Sequence, residues 1–143
     1  MHGRFPYQLL PTYPHMKPRD IIIWEKFIRA NPDAYQTCDY DFPVGTPADV
    51  DENLMPETQA DMQHLTKLKV DVVAHAEKII HIIEIKPNAG GSALGQIIEY
   101  DYLYTRDVKP EKDTQAVIIT DKAQRDMAEI CAEHDILLIE VGF

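Results

Sequence analysis

The chain has 143 residues, 45% hydrophobic and 27% charged, with a formal net charge of −10; that is enough for one domain with a real core, read as spanning 1–143. No apolar run approaches the roughly 20 residues a bilayer-spanning helix needs, and the opening residues hold no apolar segment of signal-peptide length, so a cytoplasmic protein without membrane association is expected. The charge is uneven: +3 over residues 1–30, −8 over 31–66 and −5 over 67–143, a balance that opposes non-specific nucleic-acid binding, since Lys and Arg supply most affinity for phosphate.

Residues 1–18 hold four prolines and read as an extended N-terminal arm. Asp20 can cap a helix from Ile21 to about Ala30, with Ile21, Ile23, Trp24, Phe27 and Ile28 near a 3.6 period and Asn31-Pro32 as its stop. Residues 35–45 have strand character. The stretch 46–63 is acidic and reads as a surface loop with at most one helical turn. KLKVDVVAHA and IIHIIEIK are two β-branched runs on either side of Glu77-Lys78, which predicts a hairpin. After the loop Pro87–Gly91, Ser92 can cap a helix through about Tyr104. A strand at 115–120, a helix at 122–134 and a buried strand at 136–141 complete the order helix, strand, hairpin, helix, strand, helix, strand. The expected class is α/β, with a mixed central sheet flanked by helices.

A two-residue turn at Glu77-Lys78 pairs residues whose numbers sum to 155. Asp71 then faces Glu84, and Lys69 faces Lys86. Alternation puts Val70, Val72, Ala74, Ile79, Ile83 and Ile85 on one face, with His81 the only polar member. The other face carries Asp71, Glu84, Lys86 and Lys69 beside Val73, Ile80 and Ile82. Opposed residues have Cβ atoms about 5 Å apart. Two carboxylates that close repel, and one tends to protonate. A hard divalent cation, Mg²⁺ or Mn²⁺, relieves the conflict. An ammonium from Lys86 beside it suits phosphodiester hydrolysis by an activated water. The bland alternative is a pair of solvated strand acids, each neutralised by a lysine.

Asp71, twelve intervening residues and Glu84-Ile85-Lys86 resemble the PD-(D/E)xK nuclease superfamily. Gln96-Ile97-Ile98-Glu99-Tyr100 is similar to the QxxxY motif of its RecB-like and Holliday-junction-resolvase-like members, and four-residue spacing puts Gln96 and Tyr100 on one helix face. The resemblance covers roughly residues 20–143. It implies a restriction-endonuclease-like αβββαβ core and a Mg²⁺-dependent deoxyribonuclease. By resemblance Asp71, Glu84 and the Ile85 backbone carbonyl would be metal ligands, Lys86 the catalytic lysine, and Gln96 and Tyr100 substrate-positioning groups. Glu25 fits the acid that many members carry on the first core helix. Val70 stands where many members have Pro, and the four-cysteine cluster of iron–sulfur relatives is absent.

The implied substrate is DNA, with RNA not excluded, in repair, recombination or mobile-element processing. A homodimer is expected from size alone. The rival expectation is a nuclease-fold binding protein that meets a protein partner through the acidic 31–66 segment. His75 falls on the site face but reads as solvated, and His81 reads as a hydrogen-bonded core residue. Gly90-Gly91 is a turn or, less simply, a phosphate approach. Glu99 and Asp101 read as the wet side of a helix, while Tyr100, Tyr102 and Tyr104 divide between packing and base stacking. Asp49, Asp51, Glu52, Glu57 and Asp61 read as a solvated loop rather than a second metal site. Cys38 and Cys131 fit no metal pattern and read as free buried thiols rather than a disulfide.

Overall fold

A computed structural model describes residues 3–47 and 51–143. Among these the elements are β1 (Phe5–Pro6), α1 (Pro18–Ala30), β2 (Thr37–Val44), α2 (Pro56–Thr66), β3 (Leu68–His75), β4 (Ile79–Ile85), α3 (Gly91–Val108), β5 (Asp113–Thr120), α4 (Met127–Glu133) and β6 (Leu137–Glu140). The six strands form one mixed sheet in chain order, antiparallel from β1 to β4 and parallel from β4 to β6. The α/β class is as expected. No helix among the described residues is long and apolar enough to cross a membrane.

Both faces of the sheet are covered, which is why the inner strands are apolar on both sides. On one face α1 lays Ile23, Trp24, Phe27 and Ile28 over Tyr40, Val72, Ala74, Ile83, Val117 and Ile119. On the other, Ala93, Ile97, Tyr100 and Tyr104 of α3 and Met127 and Cys131 of α4 cover Val70, Val73, Ile80, Ile82 and Ile118. Ile82, Ile83, Ile118 and Ile119 are fully buried, and each such side chain contributes roughly 1.5–3 kcal/mol relative to exposure. Inside the α1 layer the Trp24 indole N–H donates to the Tyr40 hydroxyl at 3.0 Å, so a buried donor and a buried acceptor satisfy each other.

Several boundaries differ from the sequence reading. Helix α1 begins at Pro18, not Ile21, with Lys17 at the N-cap and no side-chain cap. Proline's fixed φ suits the first helical position and outweighs the Asp20 capping signal. Asp20 therefore sits inside the first turn. Residues 56–66 form an eleven-residue helix, α2, where a loop was expected; Pro56 starts it and Glu57 lies in its first turn. Ser92 is not the cap of α3: Gly90 is, and the helix runs on to Val108, where left-handed Lys109 (φ 51°) ends it. Helix α4 is shorter than expected, because left-handed Asp126 (φ 68°) precedes it. Within the arm, residues 5–6 pair with β2. Cys38 and Cys131 are free and buried, as expected.

Candidate active site

The hairpin register is the one the turn arithmetic requires from Val72 to His75, but the expected Asp71–Glu84 and Lys69–Lys86 pairs are not part of the ladder. Val72 pairs with Ile83, Val73 with Ile82, Ala74 with His81 and His75 with Ile80, and the turn is closed by Ala76 N–H donating to Ile79. The ladder stops at Val72. Its next hydrogen-bonded pair would be Val70 with Ile85, but the Ile85 N–H instead donates to Asp71 Oδ2 at 2.8 Å. The carboxylate of Asp71 thus enters the space where β3 parts from β4. Lys86 N–H, one residue on, turns to β5 and donates to Ile119. By strand alternation the Ile85 carbonyl faces the Asp71 side, away from β5.

The opening of the hairpin has a cause in the neighbouring strand. Tyr40 pairs with Val72 and Phe42 with Val70, yet Tyr40 and Val72 pack under α1 while Phe42 and Val70 pack under α3. Two residues apart on a regular strand share a face. Between them, left-handed Asp41 (φ 52°) rotates the ribbon. The expected placement of Val70 beside Val72 is therefore wrong: Val70 packs in the opposite layer, and Asp71 between them meets the Ile85 N–H.

The result is a cleft of about 610 Å³ whose walls include Asp20, Asp41, Asp71, Glu84, Ile85, Lys86, Gln96 and Tyr100. Glu84 is 3% exposed. Burial raises its pKa most, the carboxyl of Asp71 within hydrogen-bonding reach adds to the rise, and Lys86 opposes it. Asp20 is raised by burial and then by Asp71, against the pull of Lys17, Lys86 and Arg19. The hydroxyl of Tyr100 is raised by burial and by the charges of Glu84 and Asp71. The shared electrostatics match the shared cleft: one crowded acidic floor with a lysine at its edge. In that cleft Gln96 Oε1 is buried without a hydrogen-bond partner.

Of the residues singled out in the sequence, Asp71, Glu84, Ile85, Lys86, Gln96 and Tyr100 meet in the cleft, and Glu25 does not. Glu25 lies one helical turn beyond Asp20; its Oε2 accepts from the Tyr13 hydroxyl at 2.8 Å and its Oε1 is 3.6 Å from Arg29. The α1 acid in the cleft is Asp20, missed because the helix was started too late. Asp41 was missed as well, since a left-handed aspartate inside a strand leaves no pattern. His75 is not solvated: it is 5% exposed and its Nε2 meets buried Asp39 at 3.0 Å. His81 is half-buried and meets the Tyr35 hydroxyl through Nδ1 at 2.6 Å, as a core histidine should. Gly90-Gly91 lies outside the cleft walls; the loop is braced by Gln124, whose N–H donates to Ala89 and whose side chain donates to Asn88. Tyr104 packs edge-on against Phe42 and Tyr102 is 68% exposed. Asp51, Glu52, Glu57 and Asp61 are exposed, as a solvated surface requires, and Asp49 lies outside the described residues.

The donor set fits a hard divalent cation. Two carboxylates meet in the cleft, one cannot ionise comfortably beside the other, and a buried amide oxygen lacks a donor. Among the described residues no three His, Cys, Asp or Glu side chains are gathered to hold a metal alone. Mg²⁺ needs no such set, since it retains several waters and is commonly held by one or two carboxylates. Comparison of the chain with protein-family models, with curated proteins and with solved structures finds no match.

Proposed function

We propose that this chain is a metal-dependent nuclease of the PD-(D/E)xK type, with a restriction-endonuclease-like core, that hydrolyses phosphodiester bonds in DNA. The observation that carries the reading is the parting of β3 from β4, which brings Asp71, Glu84 and Lys86 to one cleft with Gln96 and Tyr100. Asp71, Glu84 and the Ile85 carbonyl would hold Mg²⁺ or Mn²⁺, with Asp20 next to them. When bound, the cation supplies a Lewis acid for the phosphoryl oxygens and acidifies water.

The residues do the rest. Ile85 N–H fixes one oxygen of Asp71, while the Asp71 carboxyl also meets that of Glu84. Glu84, whose pKa burial and Asp71 raise, would give up its proton to a cation held there. Lys86 offers an ammonium to the charge that builds on the phosphorus oxygens. Gln96 Oε1, an acceptor in want of a donor, orients a water or a substrate hydroxyl. No side-chain nucleophile is required.

Repair, recombination or mobile-element processing, in the cytoplasm and as a homodimer, is the setting this reading favours. A second reading draws on the net charge of −10: a nuclease-fold subunit that binds a basic protein partner through residues 31–66. One assay separates them. Supercoiled DNA, single-stranded DNA and RNA are incubated with the protein and Mg²⁺ or Mn²⁺, beside Lys86→Ala. Metal-dependent cutting that Lys86→Ala abolishes supports the enzyme; intact nucleic acid in every condition supports the binding protein.

A further inference from the structure

The cleft has two unlike sides. Its floor is acidic, with Asp20, Asp41, Asp71 and Glu84. Another part of its lining is the short segment Pro14 to Arg19, which runs into the start of α1 and is basic: His15, Lys17 and Arg19 line the cleft and are exposed. Lys17 and Arg19, with Lys86, lie close enough to Asp20 to lower its pKa, yet none of the three forms an ion pair among the described residues. Long cations that line a cavity without a fixed partner are free to close on an anion.

The backbone points the same way. Lys17 is the N-cap of a thirteen-residue helix and supplies no cap from its side chain, and Pro18 follows. The positive end of α1 therefore opens onto the cleft wall with its first-turn N–H groups uncapped by a side chain. His15 adopts left-handed φ (54°), and its Nε2 lies 3.8 Å from Asp41, itself left-handed. Both residues line the cleft, and strained residues of this kind persist where the surroundings hold a functional geometry.

We propose that Lys17 and Arg19 form a phosphate clamp that grips the backbone of a single nucleic-acid strand beside the scissile bond. The proposal rests on the nuclease reading and names the substrate form for that site. Cleft size selects the strand. A volume of about 610 Å³ lies within the roughly 300–1,000 Å³ of small-ligand pockets, the scale of a short stretch of one strand rather than of a whole duplex. Charge selects it too. A chain of net charge −10 repels a long duplex along most of its surface, while a strand that threads the cleft meets the basic wall first. Pro14 and Met16, on either side of His15, also line the cleft and offer apolar surface to a base. The recognised chemistry, a phosphodiester strand, is common to DNA and RNA.

Fluorescence anisotropy tests the clamp without relying on catalysis. Labelled single-stranded DNA, single-stranded RNA and blunt duplex DNA are titrated with the full chain in Ca²⁺ over a range of salt. Three proteins are compared: wild type, Lys17→Ala/Arg19→Ala, and the control Lys122→Ala/Arg125→Ala, which removes two exposed charges outside the cleft. The clamp predicts that a strand of either sugar binds at least tenfold tighter than duplex. It predicts that Lys17→Ala/Arg19→Ala raises Kd at least tenfold and flattens the salt slope by about 1.4, or roughly 0.7 per lost phosphate contact, while the control changes neither. Equal binding by Lys17→Ala/Arg19→Ala and wild type overturns the clamp. So does an equal loss in the control, a duplex bound as tightly as a strand, or no binding at all. Metal-dependent cutting that survives Lys17→Ala/Arg19→Ala with unchanged KM overturns the clamp and leaves the nuclease standing; clamp-dependent binding without any cutting does the reverse.

Discussion

Replacing Glu84 with glutamine should stabilise the metal-free protein at neutral pH. Glu84 is 3% exposed, and burial first, then Asp71, lift its pKa above the ordinary 4.5. The folded chain therefore keeps a proton that the unfolded chain releases once the pH passes 4.5. The stability that this proton lends is complete below 4.5 and drains as the pH climbs toward the raised folded value. The loss runs at roughly 1.4 kcal/mol for each pH unit, so the ceiling between about pH 5 and pH 8 is on the order of 4 kcal/mol. The opposing pull of Lys86 is already part of that net rise, so the expected cost at pH 8 is on the order of 4 kcal/mol at most. Glutamine keeps the shape and carries no charge, so it should recover most of that cost at pH 8 and little at pH 5. Denaturant unfolding of wild type and Glu84→Gln in EDTA, at a series of pH values, measures it. The difference between the two curves isolates Glu84 from Asp20 and Asp101, whose pKa values burial also raises, and from the histidines. A difference that stays flat, or that favours wild type increasingly as the pH rises, refutes the burial argument.

Three further outcomes follow from the geometry. Glu25→Gln should leave cutting within about twofold of wild type, because Glu25 is engaged by Tyr13 and Arg29 away from the cleft, whereas Asp20→Asn should lower the rate by at least tenfold (about 1.4 kcal/mol); parallel rate assays decide it. Tyr40→Phe leaves the buried Trp24 N–H without its acceptor and should cost about 1–3 kcal/mol of stability by denaturant unfolding, with no change in Mn²⁺ affinity. Cys38, pushed up to about 12 by burial, should resist a thiol reagent in native protein at pH 8 and react at once in denaturant.

What could be seen in the sequence, and what could not, divides along a physical line. Pairing in the β3–β4 hairpin follows from alternation and turn length, so the register from Val72 to His75 could be read from the sequence, while the parting of the strands before Asp71 and Glu84 could not. Gln96 and Tyr100 could be set on one helix face for the same reason, since a period is a local property. The residues that were missed or misplaced depend on backbone events without a period. Left-handed Asp41 swaps the face of Val70 and opens the sheet at Asp71. Pro18 starts α1 a turn early and so puts Asp20, not Glu25, in the cleft. His75 looked like a solvated hairpin residue because its partner Asp39 is thirty-six positions away. The segment 46–63 looked like a loop because its acids and prolines carry no apolar stripe, yet a proline at the first position suffices to begin α2 there.

The proposed cation site formed by Asp71 and Glu84 is tested most directly by calorimetric titration of Mn²⁺ into the metal-free protein at pH 6.5, repeated in two buffers of different ionisation enthalpy, with Asp71→Asn as the comparison. The expected result is saturable binding by wild type with proton release, since Glu84 must give up its proton to bind, and no saturable binding by Asp71→Asn. Binding of equal strength in wild type and Asp71→Asn, or no binding by folded wild type at millimolar Mn²⁺, would contradict it.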